Sequence, residues 1–234
     1  MSDQQAHDEH ADTGTSIAIV LYDRFTALDA IGPYEVLSRL PGASVAFVAA
    51  EPGPVSTDNG MLTLLVEHSL EQVQRPDIVV VPGGPGEVAA RAGGAVLDWV
   101  RAADRTSTWT TSVCTGSLIL AAAGLLDGKR ATSHWLALDE LHRLGAEPVE
   151  ERVVFDGKLV TAAGVSAGID MALALAARVA GDTVAQAIQL GIEYDPRPPF
   201  DAGSPHKAPA EVVELLRGRS RHQAQAQEVL PVPR

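Results

Sequence analysis

Residues 108–117 have the sequence Thr-Trp-Thr-Thr-Ser-Val-Cys-Thr-Gly-Ser, and Cys114 within it is the single cysteine of the 234-residue chain. The first six residues are mostly β-branched or aromatic, as in a buried strand, whereas the Leu- and Ala-rich stretch 118–123 favours a helix. The pattern predicts a sharp turn, a nucleophile elbow, that presents the sulfur at a helix N-terminus. Helix dipole and backbone amides would stabilise a thiolate there, so we expect a lowered thiol pKa and a nucleophilic role. A structural buried cysteine is the alternative.

The chain on both sides of this turn alternates apolar strands with helices. We expect strands at 17–22, 45–49 and 74–82, a helix at 28–40 and a second helix that runs through Trp99. Strands that are apolar throughout are typical of a parallel sheet covered on both faces. The fold class predicted is therefore α/β, a flavodoxin-like or Rossmann-like sandwich with a mostly parallel sheet. Turn signals at 58–60 and 155–158 predict two hairpins.

The C-terminal third carries helix and loop signals. A long Ala- and Leu-rich helix begins near residue 166, with Ser166 as a candidate N-cap and Asp170 as a residue that complements the helix dipole. The five prolines of 195–209 predict a loop of fixed shape, and a final helix is expected from about 210 to 221.

Composition favours one domain. A chain with 46% hydrophobic residues can bury a full core, so we assign residues 16–222 to one domain and residues 1–15 and 223–234 to flexible tails. His7 and His10 beside acidic residues are a weak alternative metal site in the first tail. No Zn-type ligand spacing occurs elsewhere, and we expect no metal.

Charge and hydropathy exclude two classes of partner. The net charge of −12 opposes nucleic-acid binding, and Arg217, Arg219 and Arg221 are interpreted as the solvated end of a helix. No apolar run approaches the roughly 18 residues that a membrane span needs, and no signal-peptide pattern begins the chain. With one cysteine, no disulfide can form within the chain, which fits a reducing compartment. We expect a cytoplasmic protein with a small-molecule substrate.

Three segments are predicted to meet at the carboxyl edge of the parallel sheet. They are Leu28-Asp29, Gly83-Gly84 and Cys114-Thr115. Asp29 has apolar neighbours, so desolvation beside a thiolate would keep it protonated as a general acid, although an N-cap role is also open. The amides of Gly83 and Gly84 are candidate donors to charge on a substrate, unless the glycines only end a strand. The Thr115 hydroxyl either orients substrate or caps its helix.

Several motifs along the chain are similar to one known family. Together they resemble the ThiJ/PfpI superfamily, which is related to class I glutamine amidotransferases, and within it the isonitrile hydratases. The resemblance covers about residues 17–217 and rests on these segments: Leu28-Asp29, Gly32-Pro33, Pro82-Gly83-Gly84, Ser112-Val113-Cys114-Thr115-Gly116-Ser117, Ala131-Thr132-Ser133-His134-Trp135, Ala167-Gly168-Ile169-Asp170, Glu193-Tyr194, Pro198-Pro199-Phe200 and Ala202-Gly203-Ser204-Pro205.

The resemblance implies hydration of an isonitrile, R–NC, to an N-substituted formamide. Cys114 would attack the isonitrile carbon, and Asp29 would protonate that carbon and then activate water. It also implies that no cofactor is needed, that the protein is a homodimer, and that His134 and Val165 are candidates for the pocket. Two departures from relatives stand out: Ala162-Ala163-Gly164 replaces a stretch richer in glycine, and Pro85 replaces a residue with an amide.

Three alternative functions stay open. A protease-like hydrolase would carry histidine directly after the cysteine, where this chain has Thr115, and His134 sits at a predicted helix start with a packing or capping role as the alternative. A glyoxalase-type member would carry glutamate at Asp29. A ligand-sensing domain of a transcriptional regulator would need a helix-turn-helix module, for which thirteen residues after Arg221 are too few.

Overall fold

The computed structural model describes residues 14–220, and its centre is a parallel β-sheet. The strands are β1 (Ser16–Val20), β2 (Ser44–Ala49), β3 (Gly53–Ser56), β4 (Thr63–Val66), β5 (His68–Ser69), β6 (Ile78–Val81), β7 (Trp109–Val113), β8 (Arg130–Ala131), β9 (Glu147–Pro148), β10 (Val153–Asp156) and β11 (Leu159–Ala162). The helices are α1 (Ala27–Leu37), α2 (Glu87–Arg91), α3 (Ala95–Asp104), α4 (Gly116–Ala122), α5 (Leu138–Arg143), α6 (Ala167–Ala180), α7 (Asp182–Gly191) and α8 (Ala210–Arg217), with a short 3₁₀ turn at Trp135–Ala137.

Seven strands form the main sheet in the order β10-β11-β7-β6-β1-β2-β5. Every neighbouring pair in it is parallel except β10 and β11, which form the hairpin predicted at 155–158. All four residues of β6 are buried, because helices cover both faces of a doubly wound sheet. The predicted flavodoxin-like α/β fold is confirmed, and β3 with β4 forms the second predicted hairpin.

The order of the strands indicates which edge of the sheet binds a ligand. From β1 the chain runs outward to β2 and later returns to β6 on the other side of β1, so the direction of winding reverses between β1 and β6. Ligands of open parallel sheets bind at such a reversal, outside the carboxyl ends of the strands. The segments after β6, β7 and β11 leave the sheet at this edge, and α1 packs beside it.

Several helix predictions need correction. The predicted helix through Trp99 is two helices, α2 and α3, because Gly93 and Gly94 between them have φ angles of 135° and 92°. The final helix ends at Arg217, and α7 lies in a segment for which no separate helix was predicted. Ser166 occupies the N-cap position of α6 without a capping hydrogen bond from its side chain.

The predicted tails can be compared with the structure only at residues 14 and 15. The remainder of 1–15, including His7 and His10, and all of 223–234 lie outside the described residues, as does Arg221. None of the described helices combines the length and hydropathy that crossing a membrane requires.

Candidate active site

Cys114 occupies the elbow between β7 and α4 that the sequence predicts. Its φ of 57° is in the left-handed region, which a non-glycine residue adopts only when its surroundings enforce it. The surroundings here are hydrogen bonds: the Cys114 amide donates to the carbonyls of Ala162 (3.0 Å) and Ala163 (2.8 Å). Its carbonyl accepts from the hydroxyls of Ser117 (3.1 Å) and Ser133 (3.0 Å). Strand, helix and two flanking segments therefore fix the strained residue.

The Cys114 side chain is a free thiol in a largely dry environment, with the residue only 6% exposed. Burial and the nearby Asp29 carboxylate raise the pKa of the thiol well above its ordinary value. The backbone amides of Thr115 and Val165 and the Thr115 hydroxyl act in the opposite direction as donors to the sulfur. The prediction of a lowered thiol pKa is therefore wrong, because it counted the helix N-terminus and omitted desolvation and a like charge.

Asp29 lies in the first turn of α1 and is fully buried. Desolvation raises its pKa from 3.8 to about 7, and the charge of Asp58 adds to the rise, while hydrogen bonds from Gly83 and Cys114 oppose it. Thr26, not Asp29, occupies the N-cap position of α1, so the capping alternative is wrong. The carboxyl group instead faces the thiol across the sheet edge.

The Asp29 carboxyl and the Cys114 thiol form a coupled acid pair. One carboxyl oxygen, Oδ2, accepts from the Gly83 amide at 2.9 Å, and the carboxyl group also interacts with the Cys114 thiol, while Oδ1 is buried with no nitrogen or oxygen donor among residues 14–220. Because the carboxyl pKa is about 7 and the thiol pKa is higher still, the two groups share a single proton over the pH range between these values. In that range the higher pKa of the thiol places the proton mainly on the sulfur, and its transfer to Asp29 gives the thiolate beside a carboxylic acid.

Gly83 and Gly84 allow the three segments to approach closely. A Cβ on Gly83 would lie 2.5 Å from the Thr115 amide nitrogen and 3.0 Å from Asp29 Oδ2, so no other residue fits. The Gly84 amide donates to Thr115 Oγ1 at 3.0 Å. The sequence predicts that both amides face a substrate, whereas in this structure they donate to Asp29 and Thr115, since those acceptors fill the space in front of them.

Thr115 and Val165 complete the surroundings of the sulfur. Thr115 sits at the N-cap position of α4 but makes no capping bond from its side chain, so the capping alternative is not realised. Its Oγ1 accepts from Gly84, which leaves the hydroxyl hydrogen for the Cys114 sulfur. Val165 follows β11 and donates its amide to the same sulfur.

A cavity of about 320 Å³ opens onto Cys114. His134 is part of its wall, and its ring Nδ1 accepts the Leu136 amide at 3.3 Å, which is the local capping role that the sequence left open. A Cβ on Gly164 would lie 3.2 Å from the His134 ring, so this glycine gives the ring its room. The lining residues are Thr26, Gly84, Pro85, Cys114, Thr115, His134, Leu136, Val165, Arg219 and Ser220.

Sequence reasoning missed several residues of this region. Ser117 and Ser133 hold the elbow carbonyl, and both lie within motifs that carried the family resemblance, which was the available signal. Arg219 and Ser220 line the cavity. Arg219 is exposed just beyond the end of α8 at Arg217, as the interpretation of a solvated helix end predicts, and it also borders the cavity at Cys114. No group of metal-ligating side chains occurs in residues 14–220.

Asp170 belongs to a separate cluster on the neighbouring helix. It lies in the first turn of α6, as predicted, where it forms an ion pair with Arg152 and accepts from the Tyr194 hydroxyl at 3.2 Å. Arg152 also donates to Ser166 Oγ at 3.2 Å, so the cluster ties the start of α6 to the segment before β10.

Known proteins share both the sequence and the architecture. The chain is 46% identical over 204 residues to a protein named isonitrile hydratase from Pseudomonas putida, a match that spans 87% of this chain and 89% of that one. It is 33% identical over 162 residues to the HTH-type transcriptional regulator CdhR of Pseudomonas aeruginosa, covering 68% of this chain but only 48% of the regulator.

The fold and the family follow from two further matches. The crystal structure of a ThiJ/PfpI family protein from Pseudomonas syringae superimposes with a TM-score of 0.85 at 39% identity, covering 88% of this chain and 86% of the other. The model of the DJ-1/PfpI family matches residues 15–178, which include Cys114, Asp29 and the Gly83-Gly84 segment. The chain therefore belongs to the DJ-1/PfpI family.

Proposed function

We propose that this protein is an isonitrile hydratase, a lyase that adds water to R–NC to form the formamide R–NH–CHO. The observation that carries the proposal is the buried Asp29 carboxyl group, with a pKa of about 7, beside the elbow thiol of Cys114. Such a pair supplies a nucleophile and a proton at the same place, which is the chemistry that the terminal carbon of an isonitrile needs. The 46% identity to a protein named isonitrile hydratase supports the same assignment.

The first half of the reaction forms a thioimidate. The thiolate form of the pair attacks the isonitrile carbon, so a C–S bond forms, and Asp29 gives its proton to that carbon. The product is R–N=CH–S–Cys114, with Asp29 now ionised. The step exchanges a buried thiolate for a buried carboxylate, so the site keeps one negative charge. It is favoured because burial disfavours the ionised sulfur more strongly than the ionised carboxyl group.

The second half hydrolyses the thioimidate. Asp29 takes one proton from water, the oxygen bonds to the carbon, and the remaining hydroxyl proton goes to nitrogen as the carbonyl forms and the C–S bond breaks. Asp29 is again protonated and the thiolate is restored, so the cycle balances as R–NC plus water. The amides of Thr115 and Val165 and the Thr115 hydroxyl stabilise the leaving thiolate.

Gly83 and Gly84 act in this scheme by donating their amide hydrogens to side chains of the site. Gly83 orients the Asp29 carboxyl group, and Gly84 orients the Thr115 hydroxyl group. A direct contact between these amides and substrate would require a change of acceptor in the complex. His134 shapes the cavity, and no residue of this scheme calls for a metal or an organic cofactor.

Two further assignments complete the proposal. We propose a homodimer, on the resemblance to the family. A cytoplasmic location fits an enzyme whose nucleophile is its single cysteine, because a reducing compartment keeps that thiol unoxidised.

The test is hydration of a simple isonitrile, such as cyclohexyl isocyanide, followed by formamide production. The wild type is expected to turn over, whereas Cys114→Ala and Cys114→Ser are expected to be inactive with an intact fold, because a hydroxyl group without a strong base is not a comparable nucleophile. Slow turnover should reveal an adduct on Cys114 with the mass of the whole isonitrile. Saturable binding with neither adduct nor formamide, at any pH from about 5 to 9, would favour a ligand-sensing domain, as in the regulator relative.

A further inference from the structure

The C-terminal end of the described chain forms one wall of the cavity at Cys114. After α8 ends at Arg217, the amides of Arg219 and Ser220 donate to the carbonyls of Leu216 (3.2 Å) and Arg217 (2.9 Å), so the segment folds back on the last helical turn. The Arg217 guanidinium lies 6.0 Å from the centroid of the Trp135 ring, next to His134. These contacts direct Arg219 and Ser220 to the cavity.

This wall brings a guanidinium and a hydroxyl group to the cavity at Cys114. Among the residues that line it, Arg219 is the one guanidinium, and it has no ion pair with any acidic side chain of residues 14–220. Ser220 Oγ is buried and has no hydrogen-bond partner among the same residues. A buried hydroxyl group without a partner destabilises the unliganded protein. A ligand that accepts its hydrogen bond would remove this penalty and would bind more tightly as a result.

The charges around the cavity indicate the charge of the ligand that this wall would bind. The chain carries a formal charge of −12, and the acid pair of Asp29 and Cys114 is itself anionic once it has lost a proton. An anionic ligand would be repelled by both unless a cation lies at the site. A guanidinium and a hydroxyl group together match a carboxylate, which accepts charge-assisted hydrogen bonds from both.

We propose that Arg219 and Ser220 form a subsite for an anionic oxygen group on R, so that the preferred substrates are isonitriles that carry a carboxylate. The inference rests on the proposed function for the isonitrile end, which reacts at Cys114, while the carboxylate lies against the C-terminal wall. A cavity of about 320 Å³ suits a ligand of this small size.

The experiment compares isocyanoacetate with its uncharged methyl ester. Wild type is expected to show the higher kcat/KM for isocyanoacetate, and Arg219→Ala to lower the acid-to-ester ratio about tenfold, mainly through KM, because the guanidinium is partly exposed. Arg219→Lys should restore part of the ratio, and Ser220→Ala should lower it about threefold. The control is Arg197→Ala, which removes a guanidinium that is 84% exposed and paired with Asp195, and it should leave the ratio unchanged.

Binding to Cys114→Ala separates this inference from the proposed function. Calorimetry should show that isocyanoacetate binds more tightly than the ester and that adding Arg219→Ala removes the difference. If this holds while wild type hydrates neither compound, the subsite stands and the hydratase assignment falls. An acid-to-ester ratio that Arg219→Ala does not change, or equal binding of the two compounds to Cys114→Ala, would overturn the subsite.

Discussion

Helices α1 and α6 pack against each other, and each carries an aspartate in its first turn, yet the two carboxyl groups differ in every respect that matters for chemistry. Asp29 is fully buried and faces a thiol and a backbone amide, and no cationic side chain of residues 14–220 forms an ion pair with it. Asp170 is 32% exposed and has Arg152 as an ion-pair partner and the Tyr194 hydroxyl group as a donor.

The difference shows what keeps a carboxyl group at the start of a helix protonated near neutral pH, so that it can donate a proton. Either residue would complement a helix dipole, so position along the helix does not distinguish them. Burial without a cation makes ionisation expensive, and the pKa of Asp29 rises to about 7 as a result. Asp170 instead pairs with the Arg152 guanidinium at the surface, and this contact serves the structure.

The largest expected effect is on the pH dependence of stability. From pH 3.8 to about 7, the unfolded chain loses the Asp29 proton while the folded chain retains it, so this residue contributes stability at low pH that is lost as the pH rises through about 7. Asp29→Asn should remove that loss. We expect the drop in unfolding free energy between pH 4 and pH 8 to shrink by on the order of a few kcal/mol in the variant.

Urea unfolding of wild type and Asp29→Asn at both pH values measures this difference. Because each protein is compared with itself, any fixed cost of the buried amide cancels. Identical pH profiles for the two proteins would mean that Asp29 is ionised in the fold at neutral pH, and the acid role would fall with it.

Turnover should separate the two carboxyl groups next. Asp29→Asn keeps the size of the side chain but removes the transferable proton, so kcat should fall by about two orders of magnitude or more with a modest change in KM. Asp170→Asn is the matched control, and its kcat should stay within about threefold of wild type, because the residue acts on the fold. Equal losses in both variants would mean that the two carboxyl groups do not differ in their catalytic role.

A smaller effect is expected from Asp29→Glu, which retains the acid and moves it. The added methylene shifts the carboxyl group by roughly 1 Å, which is enough to misplace a proton donor, so we expect kcat to fall at least about tenfold. Steady-state kinetics on one isonitrile measures the loss. Activity equal to wild type would show that the site tolerates either acid, and the glyoxalase-type alternative would regain support.

The meeting of Asp29, Gly83 and Cys114 could be predicted from sequence because it depends on the sheet. Strands that are apolar throughout, such as β6, predict a parallel sheet. The carboxyl ends of parallel strands lie at one edge of the sheet, so the residues just beyond them come close together. The left-handed Cys114 and the raised pKa of Asp29 follow from the same reasoning, since a sharp turn and an apolar surround are visible in the sequence.

What could not be predicted depends on contacts between distant segments. The direction of the Cys114 pKa shift requires the balance of burial and donors in three dimensions, and local sequence showed only the helix N-terminus. The place of Arg219 depends on where α8 packs, about a hundred residues after the elbow. The acceptors of the Gly83 and Gly84 amides were likewise visible only once their partners had been placed.

The smallest expected effect concerns what Asp170 does for the fold. Its ion pair with Arg152 is half exposed, so Asp170→Asn should lower the unfolding free energy by only about 1 kcal/mol at low ionic strength. Salt screens exposed charges, so the loss should shrink in 1 M NaCl, where the Debye length is about 3 Å. The effect of Asp29→Asn should hardly change with salt, because its site is buried. Chemical unfolding by urea at both salt concentrations checks this, and a loss from Asp170→Asn that ignores salt would mean that packing, and not charge, holds the start of α6.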